Sequence, residues 1–273
     1  MKNVYVITGG GSGMGLATAK LFTDKDDIII LTGRTVEKLK FAVNELQALG
    51  IASCAFPCDV SDINSVRDLA NHASSLGRIV AVIHAAGVSP HMDNGKRIME
   101  INALGTINVD EVFLPIMENN SCIINVSSMA GYFMPKIIIP KKVYRLALSN
   151  KDQFFKKMMK RIKIFPKKFR ADVAYGLSKN FVIWYSAAMA SDFGENGIRI
   201  LSVSPGTFDT PMGEVEKDEA ITYRKYCAFK RSGKSEEIAK LIEFLVRPDA
   251  GYLTGVDILM DGGCVAGKKN NIA

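Results

Sequence analysis

The sequence predicts an α/β fold: a Rossmann-like, doubly wound parallel sheet in a three-layer αβα sandwich, built as a single domain over residues 1–273. Three observations predict it. Short β-branched apolar runs alternate with helical stretches along most of the chain. The first such run leads straight into a glycine cluster and then a helix. Of the 273 residues, 48% are hydrophobic, enough to cover both faces of a sheet.

Composition excludes several classes. No apolar run approaches the length of a membrane span. Met1-Lys2-Asn3 enters a strand directly, so no secretory leader is expected. Cys54, Cys58, Cys122, Cys227 and Cys264 are odd in number and form no CxxC, which predicts free thiols in a reducing cytoplasm. With three histidines and no HExxH, no metal site is expected. Net charge is +7, unevenly spread: residues 132–173 hold 13 Lys/Arg against Asp152 and Asp172, or +11, and the remainder is −4.

In chain order, Asn3–Thr8 reads as a buried strand. Gly9, Gly10, Gly11, Ser12, Gly13, Met14 and Gly15 follow, and a helix begins near Leu16. Glycines allow a tight turn and close backbone approach, and a helix N-terminus offers free N–H groups to a diphosphate. Asp27–Thr32 is a second strand, ending at Gly33-Arg34. An acid at this point would bind a ribose 2′-hydroxyl. Arg34 stands there instead and suits a 2′-phosphate, so NADP(H) is favoured over NAD(H). Thr35 opens a helix with Glu37 and Lys38 in its first turn. Ile51 to Pro57 is a third strand. Asp59-Val60 then lies where an adenine would sit, although Asp59 competes with Ser61 and Asp62 for a helix-capping role.

Ile79 to His84 is a fourth strand, turning at Ala85-Ala86-Gly87. Lys96 to Met117 carries apolar residues at helical spacing and holds one notable polar residue, Asn102. Cys122 to Ser128 is a fifth strand ending in two hydroxyls. Within Tyr132 to Val173, Phe154, Phe155, Met158, Met159, Ile162 and Phe165 form an apolar stripe between lysines, an amphipathic basic helix bounded by Pro166. Asp172 or Ala171 leads into the helix of Tyr175 and Lys179, which lie one turn apart on one face. Ile198–Val203 is a sixth strand, ending at Pro205-Gly206. Thr207 to Gly233 reads as an irregular, mobile loop with a short helix, Ser235 as the N-cap of the next helix, and Asp257–Met260 as the last strand.

Taken together, these motifs resemble the short-chain dehydrogenase/reductase family over almost the whole chain. The resemblance is carried by Thr8-Gly9-x-x-x-Gly13-x-Gly15, Asp59, Asn102, Ser128, Tyr175-x-x-x-Lys179, Pro205-Gly206 with Thr210, and Asp261-Gly262-Gly263. It implies a catalytic set of Asn102, Ser128, Tyr175 and Lys179. It implies cofactor contacts from Thr8, Gly9, Gly11, Ser12, Gly13, Met14 and Gly15, from Arg34, Asp59, Val60, Ala86, Gly87, Tyr175 and Lys179, and from Pro205, Gly206, Thr207 and Thr210. Tyr175 would be the acid/base, with Lys179 favouring its phenolate and binding the nicotinamide ribose. Ser128 would hold the substrate oxygen, and Asn102 would place a water in a proton relay. The family also implies a small-molecule alcohol or ketone substrate and a homo-oligomer, dimer or tetramer, built on the helices that contain Asn102 and Tyr175.

Two departures stand out. Ala85 replaces the Asn of the family's Asn-Ala-Gly turn, so altered local bonding is expected there. Ser128 and Tyr175 are 47 residues apart, and the basic segment 132–173 is the excess. That inserted segment is expected near the substrate site, as a lid, an oligomer contact or a surface for anionic membrane. No nucleic acid partner is expected. Met134, Ile137–Ile139, Phe208 and Met212 suggest a pocket for a hydrophobic, steroid-like ketone. The competing reading is a dinucleotide-sensing or scaffold protein that keeps the fold without chemistry.

Overall fold

The computed structural model describes residues 2–215 and 217–270. Its strands are β1 (Asn3–Thr8), β2 (Asp27–Gly33), β3 (Ser53–Pro57), β4 (Arg78–His84), β5 (Cys122–Val126), β6 (Arg199–Pro205) and β9 (Asp257–Met260). They form one parallel sheet in the order β3-β2-β1-β4-β5-β6-β9. The order reverses between β1 and β4, which opens a crevice at their C-terminal ends. Two short strands, β7 (Phe208–Asp209) and β8 (Gly233–Lys234), pair separately.

Side chains alternate across the strands and feed two cores. On one face, Ile7, Ile29 and Leu31 pack against α1 (Gly13–Ala19), α2 (Val36–Ala48) and α12 (Ser235–Val246). On the other, Val4, Val6 and Ile123 meet α3 (Ile63–Leu76), α4 (Gly95–Met99), α5 (Gly105–Phe113) and α8 (Arg170–Ala188).

Several local expectations need correction. The helix expected over Lys96 to Met117 is interrupted by a π-helical turn, Glu100–Leu104, that contains Asn102. Ser235 is not an N-cap. Lys234 holds that position, its backbone N–H donating to Glu237 Oε2 at 2.8 Å, and Ser235 Oγ donates to the Asp209 carbonyl. The helix of Tyr175 starts at Arg170, one turn after Pro166.

The basic segment forms α6 (Lys141–Tyr144) and α7 (Lys151–Lys163), the latter capped by Asn150, whose Oδ1 accepts from Gln153 N. The apolar stripe of α7 is part of the main core: Phe154, Met158 and Ile162 are fully buried. The Phe154 ring lies 4.6 Å from Phe181 of α8. Tyr144 is also buried, edge-on to Phe181 at 5.2 Å, and its hydroxyl donates to the Leu177 carbonyl at 3.0 Å. Lys151 Nζ reaches Glu111 of α5 at 2.6 Å. The insertion is thus a second layer bound to the outer side of the helix that carries Tyr175. That layer covers the Phe181 side of α8, which is therefore not open to an oligomer contact.

Candidate active site

Two cavities meet at the C-terminal ends of the strands. A groove of about 370 Å³ is lined by Gly9, Gly11, Ser12, Gly13, Met14, Gly15, Arg34, Asp59, Val60, Ala86 and Gly87. A pocket of about 570 Å³ is lined by Ser128, Tyr175, Lys179, Pro205, Gly206, Thr207 and Thr210. Met14, Gly87, Val88, Thr210 and Met212 border both, so the two form one continuous cleft.

Backbone shapes the groove. Gly9 and Gly13 hold φ of +68° and +56°, the left-handed region open to glycine. A Cβ on Gly15 would lie 2.7 Å from the Gly9 carbonyl oxygen, so only glycine allows α1 to start this close to β1. This cradle at a helix start fits a diphosphate. Thr8 does not line the groove. It is fully buried beneath it, accepting from Ala86 N at 3.0 Å and bonded to His84 Nδ1 at 2.8 Å. Those bonds, with Ala85 N donating to the Thr8 carbonyl, hold the turn that lacks its Asn side chain. Burial, then the field of Lys179, pushes His84 down to about 3, so its ring stays neutral.

Arg34 is exposed at the far end of the groove, and Lys38, on the first turn of α2, lines it too. Sequence reasoning placed Lys38 in that turn but gave it no cofactor role; its spacing of four from Arg34 was the available signal. Asp59 does not cap α3; Asp62 does. Burial alone would push the Asp59 carboxyl up. Hydrogen bonds from Ser61 and Arg97, the latter at 2.5 Å, outweigh this and hold it below its ordinary value.

The polar groups of the pocket are tied to one another through β5 and α8. Ser127 Oγ donates to the Lys179 carbonyl at 2.7 Å, and Lys179 Nζ donates to the Val126 carbonyl at 2.9 Å. Lys179 Nζ lies 5.9 Å from the Tyr175 ring centroid. Ser128 Oγ accepts from Ala130 N, which sets its rotamer at the pocket wall. Asn102 lines neither cavity. It is buried, with Oδ1 accepting from Val88 N and Nδ2 donating to Val88 O and Ser178 Oγ. It therefore ties the β4 turn to α8. A Cβ on Gly87 would lie 3.3 Å from Asn102 Oδ1 and 3.4 Å from Lys179 Nζ, so these groups converge behind that glycine.

The apolar wall includes Met134, Phe208 and Met212, as expected. Ile137–Ile139 do not contribute: Ile137 is 93% exposed, and Ile138 and Ile139 pack on the core. Phe133 and Tyr223 complete the wall and were missed, because they stack at 5.3 Å across 90 residues of sequence. The insertion reaches the pocket only through residues at its two ends, Phe133, Met134 and Asp172. α7 lines neither cavity and is not a lid.

Comparison with known proteins agrees with this architecture. The family profile described as short chain dehydrogenase matches residues 3–141, and one described as Enoyl-(Acyl carrier protein) reductase matches 166–265. Residues 142–165, which contain α7, fall between the two matches. An uncharacterised oxidoreductase of Bacillus subtilis is 29% identical, covering 96% of this chain and 90% of the relative. A meso-2,3-butanediol dehydrogenase of Serratia marcescens is 27% identical, covering 96% and 94%. Among solved structures, levodione reductase superposes with a TM-score of 0.78 at 23% identity, covering 97% and 98%. A short chain dehydrogenase from Burkholderia cenocepacia in complex with NADP gives 0.76 at 21%, covering 95% and 96%.

Proposed function

The chain belongs to the short-chain dehydrogenase/reductase family of oxidoreductases, and on that premise we propose that it interconverts a secondary alcohol and a ketone with NADP(H). The observation that carries the proposal is the continuity of the cleft: Ser128, Tyr175 and Lys179 line one end and the glycine cradle with Arg34 lines the other.

A bound nicotinamide cofactor supplies or accepts the hydride. The chain's residues do the rest. Tyr175 delivers a proton to the developing alkoxide, or removes it in the reverse direction. The Lys179 ammonium stabilises negative charge on the Tyr175 oxygen and holds the nicotinamide ribose. Ser128 donates to the substrate oxygen, in a bond that strengthens as charge develops. Asn102 holds the β4 turn against α8, and its part in a water relay behind Lys179 depends on that position. Pro205, Gly206, Thr207 and Thr210 orient the carboxamide, so that one nicotinamide face meets the substrate. Gly9, Gly11, Ser12, Gly13, Met14, Gly15, Val60, Ala86 and Gly87 hold the rest of the dinucleotide, with Arg34 and Lys38 on a 2′-phosphate and Asp59 near the adenine. The methionine- and phenylalanine-rich wall favours a hydrophobic ketone. A homo-oligomer in the cytoplasm is the proposed assembly, formed through surfaces other than the buried side of Phe181.

Tyr175→Phe tests the chemistry. Turnover is expected to fall by about a hundredfold or more while NADPH binding, read by its fluorescence, is kept. An undiminished rate removes Tyr175 from the mechanism. If wild type binds NADPH but turns over no alcohol or ketone in a broad screen, the protein is a sensor or scaffold. For the cofactor, Arg34→Ala should lower kcat/KM for NADPH about tenfold or more and leave NADH nearly unchanged. A wild-type preference for NADH overturns the assignment.

A further inference from the structure

The outer side of α7 has no part in the chemistry proposed above. Because Phe154, Met158 and Ile162 are committed to the core, the opposite face is presented to solvent. It carries Lys156, Lys157, Lys160, Arg161 and Lys163, all exposed. Lys167 and Lys168 follow in the next turn. None of these seven forms an ion pair among the described residues. Large apolar side chains stand exposed beside them: Ile164 at 80% and Phe169 at 47%.

This surface adjoins the mouth of the pocket. Arg170 donates to the carbonyls of Lys163 and Phe165, folding the end of α7 back onto the start of α8. Phe169 lies three residues before Asp172, and Ile137 three residues after Met134; Asp172 and Met134 both line the pocket. Three residues of chain span at most about 11 Å. Exposed apolar tips, with the cations beside them in sequence, therefore lie within about 11 Å of chain from two residues that line the apolar cavity.

We propose that this face docks on an anionic lipid bilayer, with the lysines among the headgroups, Ile164 and Phe169 inserted at the acyl boundary, and the pocket mouth turned towards the membrane. Charge complementarity names the partner: a cluster of flexible lysines meets a diffuse negative surface. Ile164 and Ile137 are aliphatic and Phe169 is a single aromatic beside them; such tips favour lipid over nucleic acid, whose bases call for successive stacked aromatics or bidentate side chains. Docking would let a hydrophobic substrate pass from lipid to pocket without crossing water. Membrane association is argued from the surface alone and is read without turnover, so it stands or falls separately from the reaction proposed above.

The test is co-sedimentation of the full chain with phosphatidylcholine vesicles, with and without phosphatidylserine. Binding is expected to the anionic vesicles only, and to weaken as salt shortens the screening length. Combined Lys163→Gln, Lys167→Gln and Lys168→Gln should weaken it about a hundredfold, at about fivefold per lysine removed. Ile164→Ser with Phe169→Ser should abolish the fraction that survives high salt. Lys240→Glu, on α12, should leave binding unchanged. All variants are checked for native circular dichroism. Absence of binding to anionic vesicles, equal binding to neutral ones, an equal loss in Lys240→Glu, or tighter binding to DNA or RNA than to vesicles each overturns the proposal.

Discussion

The glycine cradle and the inserted layer belong to the same molecule and are specified in opposite ways. The cradle is a backbone object. Its shape follows from φ at Gly9 and Gly13 and from the missing Cβ of Gly15, and these act over seven residues of sequence. The insertion is a side-chain object. Its position depends on Tyr144 and Phe154 meeting Phe181, from segments 27 and more residues apart. A backbone motif can be recognised from the residues that make it. An apolar stripe shows only that a partner exists, and the fold decides whether that partner is lipid, another subunit or the core.

Deleting residues 134–170 probes this contrast most severely. The cut uncovers Leu177, Phe181 and Tyr185 on α8, so the shortened chain is expected to be insoluble or to lose its cooperative thermal transition. A shortened protein that melts like the full chain would show the layer to be dispensable. Phe154→Ala is the milder version. Removing a fully buried phenylalanine costs about 3–5 kcal/mol, whereas Lys160→Ala on the same helix should cost under about 0.5 kcal/mol. Urea melts of the pair measure the difference directly. Equal midpoints would mean that α7 packs no more firmly than a surface helix.

The same contrast explains what was legible in the sequence. The seven main strands, their order along the chain and the glycine turn could all be read, because short β-branched apolar runs, buried on both faces of a parallel sheet, and turn chemistry are local signals. Ser128, Tyr175 and Lys179 could be read through motif order, and the structure brings them to one pocket. Three things could not. Thr8 belongs to the glycine motif but faces inward, its hydroxyl accepting from the Ala86 backbone N–H. Ile137–Ile139 are as apolar as pocket walls, and only the chain's path shows that Ile137 faces solvent. Phe133 and Tyr223 meet through tertiary packing alone.

Between the two regions lies a polar seam. Asp110 of α5 is buried, and Asn125 Nδ2 of β5 donates to both Asp110 Oδ2 and Ser186 Oγ of α8. Burial first, and Glu111 in addition, pushes the Asp110 carboxyl up to about 8 against the opposing hydrogen bond from Asn125. The folded state therefore binds a proton that the unfolded chain releases near pH 4. This contribution to stability is fully present below pH 4 and is lost as pH rises to about 8, at about 1.4 kcal/mol per unit. Asp110→Asn should remove that slope. Its melting temperature should exceed that of wild type more at pH 9 than at pH 6; equal gains at both would mean that Asp110 is already ionised in the fold.

Tyr144→Phe has the smallest expected effect and bears most directly on the link between the regions. The Tyr144 hydroxyl donates to Leu177 O at 3.0 Å and lies 3.3 Å from Asn180 Oδ1; Asn180 Nδ2 donates to Gly131 O. One hydroxyl thus connects the insertion, the helix of Tyr175 and Lys179, and the turn that follows Ser128. Its loss should cost about 1 kcal/mol of stability, the ordinary net value of one hydrogen bond, because the ring still fills its site. If the insertion only covers apolar surface, nothing more should change. If it positions α8, kcat should fall a few-fold while KM for NADPH stays nearly constant, since no residue of the insertion or of α8 lines the groove. A fall in stability with kcat unaltered would assign the layer to packing alone.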